Sequence, residues 1–205
     1  MTGVQTCALP ICTATPGGGF PAYGWPYAEV LNRTDPTLAI EPINTKGSTE
    51  NAPRLERGDL DLGLVTGEVA YEAISGIGGP KARNLRIINA TYSQAGMFMV
   101  KADSPYRGIS DLKGKPIAWG AASSGFIVLA RYVMDGLGLD MKKDFEAHLL
   151  EKAGDGPPMV LDGRAAAMWG GGVGWPPFMA IAKGPKGARF IAPSADEIRR
   201  IQARH

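Results

Sequence analysis

The chain has 205 residues, 44% hydrophobic and 20% charged, with 22 Lys and Arg against 20 Asp and Glu. That length holds one ordinary domain or two small lobes with a real core, and a near-neutral balance without a basic block excludes nucleic acid or a membrane surface as the main partner. Two Cys and two His exclude a zinc held by four cysteines, and no apolar run approaches the roughly 18 residues of a membrane span.

The first twelve residues, MTGVQTCALPIC, differ in style from the rest of the chain. No Lys or Arg opens them and no long apolar run develops, so they are not a secretory signal. Residues 2–11 spell one reading frame of a common short-read sequencing adapter. Residues 1–12, and with them Cys7 and Cys12, are therefore expected to be a non-native, adapter-derived segment. Residues 14–27, ATPGGGFPAYGWPY, read as a Gly/Pro/aromatic loop, followed by a short helix over 27–32 and a strand over 37–43. Ser48 is placed to cap a helix over 49–57, which Gly58 closes. A buried strand is expected over 60–65, a helix over 67–75, and strands over 84–91 and 97–101. The last two have no helix between them, which places a crossover between lobes at 91–95.

The second half repeats the pattern. A helical turn over 109–113 precedes a strand at 116–119. Ser123 or Ser124 caps an amphipathic helix running to 137, with Ile127, Val128, Ala130, Val133, Met134 and Leu137 on its apolar face. A strand at 147–150, a helical piece at 159–162, a strand at 166–169, a helix at 175–182 and a strand at 188–191 come next. Residues 195–203 have helical spacing and stop without a closing strand, so the chain reads as a fragment cut at both ends. Strands alternating with helices imply βαβ units and mostly parallel sheets. Residues 13–94 are expected to form part of one lobe, 95–191 a second, and 192–205 a shortened return segment.

In open α/β sheets ligands bind beyond the carboxyl ends of the strands, so four strand-to-helix junctions carry the functional expectation. Gly18 and Gly19, with Tyr23 nearby, either let a backbone approach a ligand closely or form a plain linker. Gly47-Ser48-Thr49-Glu50-Asn51 either offers a hydroxyl and free N–H groups to an anion or merely caps a helix. Ser123-Ser124-Gly125 carries the same pair of readings in the second lobe. Trp169-Gly170-Gly171-Gly172-Val173-Gly174-Trp175, aromatics beside glycines, either walls a pocket or packs a core. The GGGVG run is not followed by Lys and Ser or Thr, so it is not a nucleotide loop of that class. No G-x-S-x-G elbow, H-E-x-x-H or C-x-x-C occurs. His148 reads as a structural strand residue, and Asp59, Asp61, Asp111 and Asp162 as solvated or capping carboxylates. The balance favours binding over catalysis, with no metal and no cofactor.

GSTENAPRLERGDLDLGLVTGEVAYEAISG, DSPYRGISDLKGKPIAWGAASSGF and VLDGRAAAMW, taken in order, resemble the TAXI-type solute receptors of TRAP transporters, and the likeness runs from about Gly17 to Ile191. It implies an α/β, two-lobed, periplasmic-binding-protein-like (type II) fold, incomplete here because the family's first strand, signal peptide and last returning strands are missing. It implies a periplasmic receptor holding a small, carboxylate-bearing solute in the cleft and passing it to membrane subunits of a TRAP-type secondary transporter. Carried over, Gly18, Gly19 and Tyr23 fall on the early loop, Ser48 and Asn51 on the first-lobe loop, and Thr66 and Glu68 on the loop after the next apolar strand. Ser123, Ser124 and Gly125 fall on the second-lobe loop, and Trp169 and Gly170 at the last junction. Ala166 stands where the family commonly has Asp, Gly67-Glu68 replaces a Ser-Asp type, and Trp169-Gly170 is bulkier than usual, so the ligand is expected to differ from glutamate-like ones. The alternative is an enzyme or effector-binding domain on the same scaffold.

Overall fold

The structure, a computed structural model, describes residues 8–205. Residues 1–7, including Cys7 and most of the adapter-like stretch, lie outside the described residues. The first half runs β1 (Leu9–Cys12), α1 (Gly19–Thr34), β2 (Ile40–Ile43), α2 (Ser48–Glu56), β3 (Leu62–Gly63) and α3 (Gly67–Ser75). Its three strands form a parallel sheet in the order β2-β1-β3. The second half runs β4 (Met97–Lys101), β5 (Pro116–Ala121), α4 (Gly125–Gly136), β6 (Glu146–Leu150), α5 (Gly156–Asp162), β7 (Ala167–Gly170), α6 (Pro176–Ala182), β8 (Ala188–Ile191) and α7 (Ala195–Arg204). Short 3-10 turns at Ile109–Leu112 and Ala153–Asp155 join it. Its sheet has the order β6-β5-β7-β4-β8.

The two halves share one plan. In each, the first of three parallel strands is central, the second flanks it on one side and the third on the other. The second sheet adds β4, antiparallel to both β7 and β8, so it is mixed where a mostly parallel sheet was expected. Among the described residues the first sheet has no counterpart of β4, and β3 lies at its edge.

Four expectations are corrected. The first strand is present: Leu9–Cys12 is the centre of the first sheet, with Ile11 only 4% exposed and Cys12 fully buried. The adapter-like spelling of residues 1–12 set it aside, and Pro10, rare in a central strand, is tolerated here. Leu9 and Thr13 donate to Ala39 and Ile43 at 2.7 and 2.9 Å. The N-H that Pro10 lacks therefore faces the opposite side, where β3 pairs only with Ile11 and Cys12. Burial pushes the Cys12 thiol above its ordinary pKa.

The Gly/Pro loop is instead most of α1. Pro21 sits in the first turn, where a missing N-H costs nothing. Pro26 lies inside the helix, and burial of Phe20, Pro21, Gly24 and Ala28 against the sheet outweighs its lost bond.

Ser48 is the first residue of α2 rather than its cap, which is Gly47.

The strand expected over 84–91 has no regular structure, and Ile87 and Ile88 are 72% and 77% exposed. Its start is pinned by Glu56, whose carboxylate accepts from the N-H groups of Arg83, Asn84 and Leu85 at 2.8, 2.9 and 3.1 Å. Those bonds, that from Arg83 foremost, hold the Glu56 carboxyl below its usual pKa. Beyond them no neighbouring strand among the described residues satisfies the segment's backbone, so β-propensity alone does not order it.

The remaining elements agree closely with the periodicity. α4 is capped by Ser124, whose side chain accepts from the Phe126 N-H. α7 opens on a capping box of Ser194 and Glu197. It packs along α4, with Ile201 against the second core and Arg204 2.9 Å from Asp135, so residues 195–204 stay on the second half. That core centres on Phe98, Trp119, Trp169 and Phe145, in edge-to-face or tilted contact at 4.9–6.1 Å between ring centroids. Ile11, Phe20, Ala28, Ile40 and Leu64 form the first-half core.

Ile11→Ala should lower stability by about 2–4 kcal/mol in urea unfolding followed by circular dichroism. An unchanged midpoint would show that residues 9–12 do not contribute to the folded sheet.

Candidate functional site

Parallel strands followed by helices bring the carboxyl ends of strands and the amino ends of helices to one side of each sheet. In this chain the two sides face each other. The loop after β1 leads to α1 at Gly18-Gly19, the loop after β2 to α2 at Gly47-Ser48, and the loop after β3 to α3 at Thr66. The loop after β5 leads to α4 at Ser124-Gly125. All four junctions line a single cavity between the halves that is partly open to solvent. Phe20, Trp119, Phe126, Trp169 and Trp175 form its apolar wall, and Gln94 enters from the crossover.

The two halves touch on both sides of this cavity. On one side the Thr49 N-H and hydroxyl donate to the Ser123 carbonyl at 3.2 and 2.9 Å. On the other the Ala153 N-H donates to Thr15 Oγ1 at 3.3 Å. The Glu72 and Arg131 side chains pair across α3 and α4. Gly47 is required at the first contact. Its φ is +121°, and a Cβ there would lie 3.0 Å from the Ser123 carbonyl oxygen.

The cavity's electrostatics come from backbone. Among the described residues no Asp, Glu, Lys, Arg or His lines it, and no group of three or more His, Cys, Asp and Glu is placed to hold a metal. Each helix leaves its first four N-H groups without intrahelical partners and carries about half a positive charge at that end. Four such ends at one cavity make a site for negative charge that contains no cation.

Of the residues singled out from sequence, Gly18, Gly19, Ser48, Thr66, Ser124, Gly125 and Trp169 line the cavity. Ser48 Oγ accepts from the Thr66 N-H at 3.1 Å, so this hydroxyl also ties α2 to the start of α3. Tyr23, Asn51, Glu68, Ser123 and Gly170 are not among the lining residues. Tyr23 stacks on Tyr27 at 5.3 Å and meets Tyr92 at 5.2 Å. Asn51 is fully buried and its amide donates to the Thr13 and Leu64 carbonyls at 2.8 and 2.9 Å, joining α2 to the ends of β1 and β3. Glu68 lies in the first turn of α3, and Ser123 supplies the carbonyl of the inter-half contact. Gly170 has a packing reason: a Cβ there would lie 2.1 Å from the Trp175 ring.

Trp119, Phe126 and Gln94 were not singled out from sequence, whereas Trp175 closes the aromatic and glycine run read as either a pocket wall or a core. Trp119 ends an apolar strand and so reads as core; the structure places both indoles in the cavity lining. The expected surface carboxylates behave as read: Asp111 accepts from the Arg107 and Gly108 N-H groups, which hold it below its usual pKa. His148 lies on β6, with Nε2 3.2 Å from Glu146.

Residues 11–205 match the NMT1-like family, and the chain belongs to that family. Its fold is the α/β fold of periplasmic solute-binding proteins. The chain is similar to the periplasmic aliphatic sulphonate binding protein SsuA from Escherichia coli, at 20% identity and a TM-score of 0.53 over 90% of this chain and 56% of that one. It is also similar to PhnD1 from Prochlorococcus marinus in complex with methylphosphonate, at 16% identity and a TM-score of 0.60 over 80% of this chain and 63% of that one. A third likeness is to the effector binding domain of QuiR in complex with shikimate, at 10% identity and a TM-score of 0.55 over 92% of this chain and 80% of that one. The chain therefore spans little more than half the length of SsuA.

Two substitutions separate framework from cleft. Asn51→Ala should cost about 1–3 kcal/mol of stability by orphaning two buried carbonyls, read as a fall in the denaturant midpoint. Gly47→Val should instead push the halves apart, seen as a larger radius of gyration in small-angle scattering. An unchanged radius would mean that the Gly47–Ser123 approach does not hold the cleft.

Proposed function

We propose that this chain is the binding portion of an extracytoplasmic solute receptor, which captures a small carboxylate-bearing solute in the cavity between two lobes. In this reading residues 13–94 belong to the first lobe, 95–191 to the second, and 192–205 to the segment leading back. The observation that carries it is the convergence of four helix N-termini on one cavity without a charged side chain. Such a site favours an anion small enough to be enclosed, and it offers its hydroxyls no general base to activate them for turnover. Its backbone donors are uniform, so oxygen-rich anionic heads of similar size compete for it, in keeping with the sulphonate and methylphosphonate named for two structural relatives.

The finer assignment rests on the TAXI-like segments: a periplasmic receptor delivering its solute to the membrane subunits of a TRAP-type secondary transporter. In this reading the partner subunits carry out membrane passage; among the described residues no helix is long and apolar enough to cross a membrane. The effector-domain reading uses the same fold and differs in the consequence of binding: a transport receptor supports uptake with its membrane subunits, whereas an effector domain alters DNA binding by an attached module.

Calorimetry against small mono- and dicarboxylates and their neutral amides tests the binding step. The expected result is one-to-one binding of an acid with no consumption of it, and no binding of the matching amide. With no ionisable side chain in the lining, affinity for a fully ionised acid should stay flat between about pH 6 and 9 and change little with salt. Equal binding of acid and amide, or turnover, would overturn the reading.

A further inference from the structure

Seven buried side-chain polar atoms among the described residues have no hydrogen-bond partner, and four of them belong to residues that line this one cavity: Thr66 Oγ1, Gln94 Oε1, Trp119 Nε1 and Trp175 Nε1. Buried polar groups are ordinarily paired, and an orphaned donor bears its full desolvation cost. Phe at either Trp position would bury a similar ring without that cost. A third tryptophan in the same wall gives the comparison: Trp169 Nε1 donates to the Phe126 carbonyl at 2.9 Å. Trp119 is fully buried and Trp175 is 8% exposed. The Nε1 edge of Trp175 faces the start of α1, for a Cβ on Gly19 would lie 3.4 Å from that nitrogen. Gln94 Oε1 is buried and unpartnered in the same lining.

We infer that Trp119 and Trp175 are the side-chain donors that hold the anionic head of the solute, and that Gln94 Oε1 accepts from an O–H or N–H elsewhere on the same molecule. The ligand class is then a small carboxylic acid bearing a hydroxyl or amino group, not a plain fatty acid. This rests on the receptor reading above and adds to it the groups that select the solute. The helix ends supply diffuse positive potential, while the two indoles supply fixed direction, and an N-H···O⁻ bond of this kind is among the stronger neutral-donor bonds.

The test uses the indole N-H signals of ¹⁵N-labelled protein, which has four tryptophans, each assigned by a Trp→Phe variant. Propionate, L-lactate, succinate and L-glutamate are the probes. A bound probe should move the Trp119 and Trp175 signals downfield and protect them from water exchange, leaving Trp169 and the surface residue Trp25 in place. Trp119→Phe and Trp175→Phe should each weaken binding roughly tenfold. L-lactate should bind more tightly than propionate, and Gln94→Leu should erase that preference. Saturating binding with both indole signals unmoved would overturn the inference while leaving the receptor reading intact, and this result needs only the wild-type chain. Binding by none of the four probes would overturn the receptor reading and this inference with it.

Discussion

Parallel pairing is the constraint from which the site arises. A parallel strand must be reached by a crossover, and a crossover helix that starts where its strand ends points its amino terminus to the same side every time. Three junctions of the first sheet and one of the second thereby deliver backbone N-H groups to a shared cavity. The anion preference proposed for the cavity follows from topology, so it does not depend on any cationic side chain. This accounts for a chain that is nearly neutral overall and uncharged where it is expected to hold a charged solute.

The second sheet shows what the first requires for completion. β4 lies between β7 and β8 and antiparallel to both, and it brings the chain from one half into the other. Through β4 the cavity is also built from Gln94, just ahead of that strand, and from Trp169, its partner across the ladder. The crossover is therefore part of the wall of the site as well as a connection. Trp119 and Trp169 of this wall pack against Phe98, and Trp119 also against Phe145, so these two rings are held by a packed core.

Much of this was legible in the residues. The apolar spacing of α4, its Ser124 cap, the strands at 97–101 and 188–191 and the helix at 67–75 follow from local pattern alone. Seven of the twelve residues expected to bind line the cavity, because small residues and hydroxyls between a strand and a helix signal a helix end whatever the fold. Asn51 was misplaced for an instructive reason: an Asn in a first helical turn suits a ligand and a buried carbonyl pair equally well, and only the tertiary structure chooses. α1 was obscured by prolines whose cost is met by burial, and β1 by the adapter-like spelling of residues 1–12, which says nothing of how those residues pack. Trp175 was legible only as an even choice between pocket wall and core, and Trp119 only as a strand residue, since no local pattern distinguishes a core tryptophan from one with an unpaired N-H.

The open side of β3 bears on association between chains. Among the described residues nothing pairs with the outer side of β3, and an unpaired sheet edge is a template for another strand. At two residues, Leu62–Gly63, that edge is short, which is one way sheets limit edge-to-edge pairing.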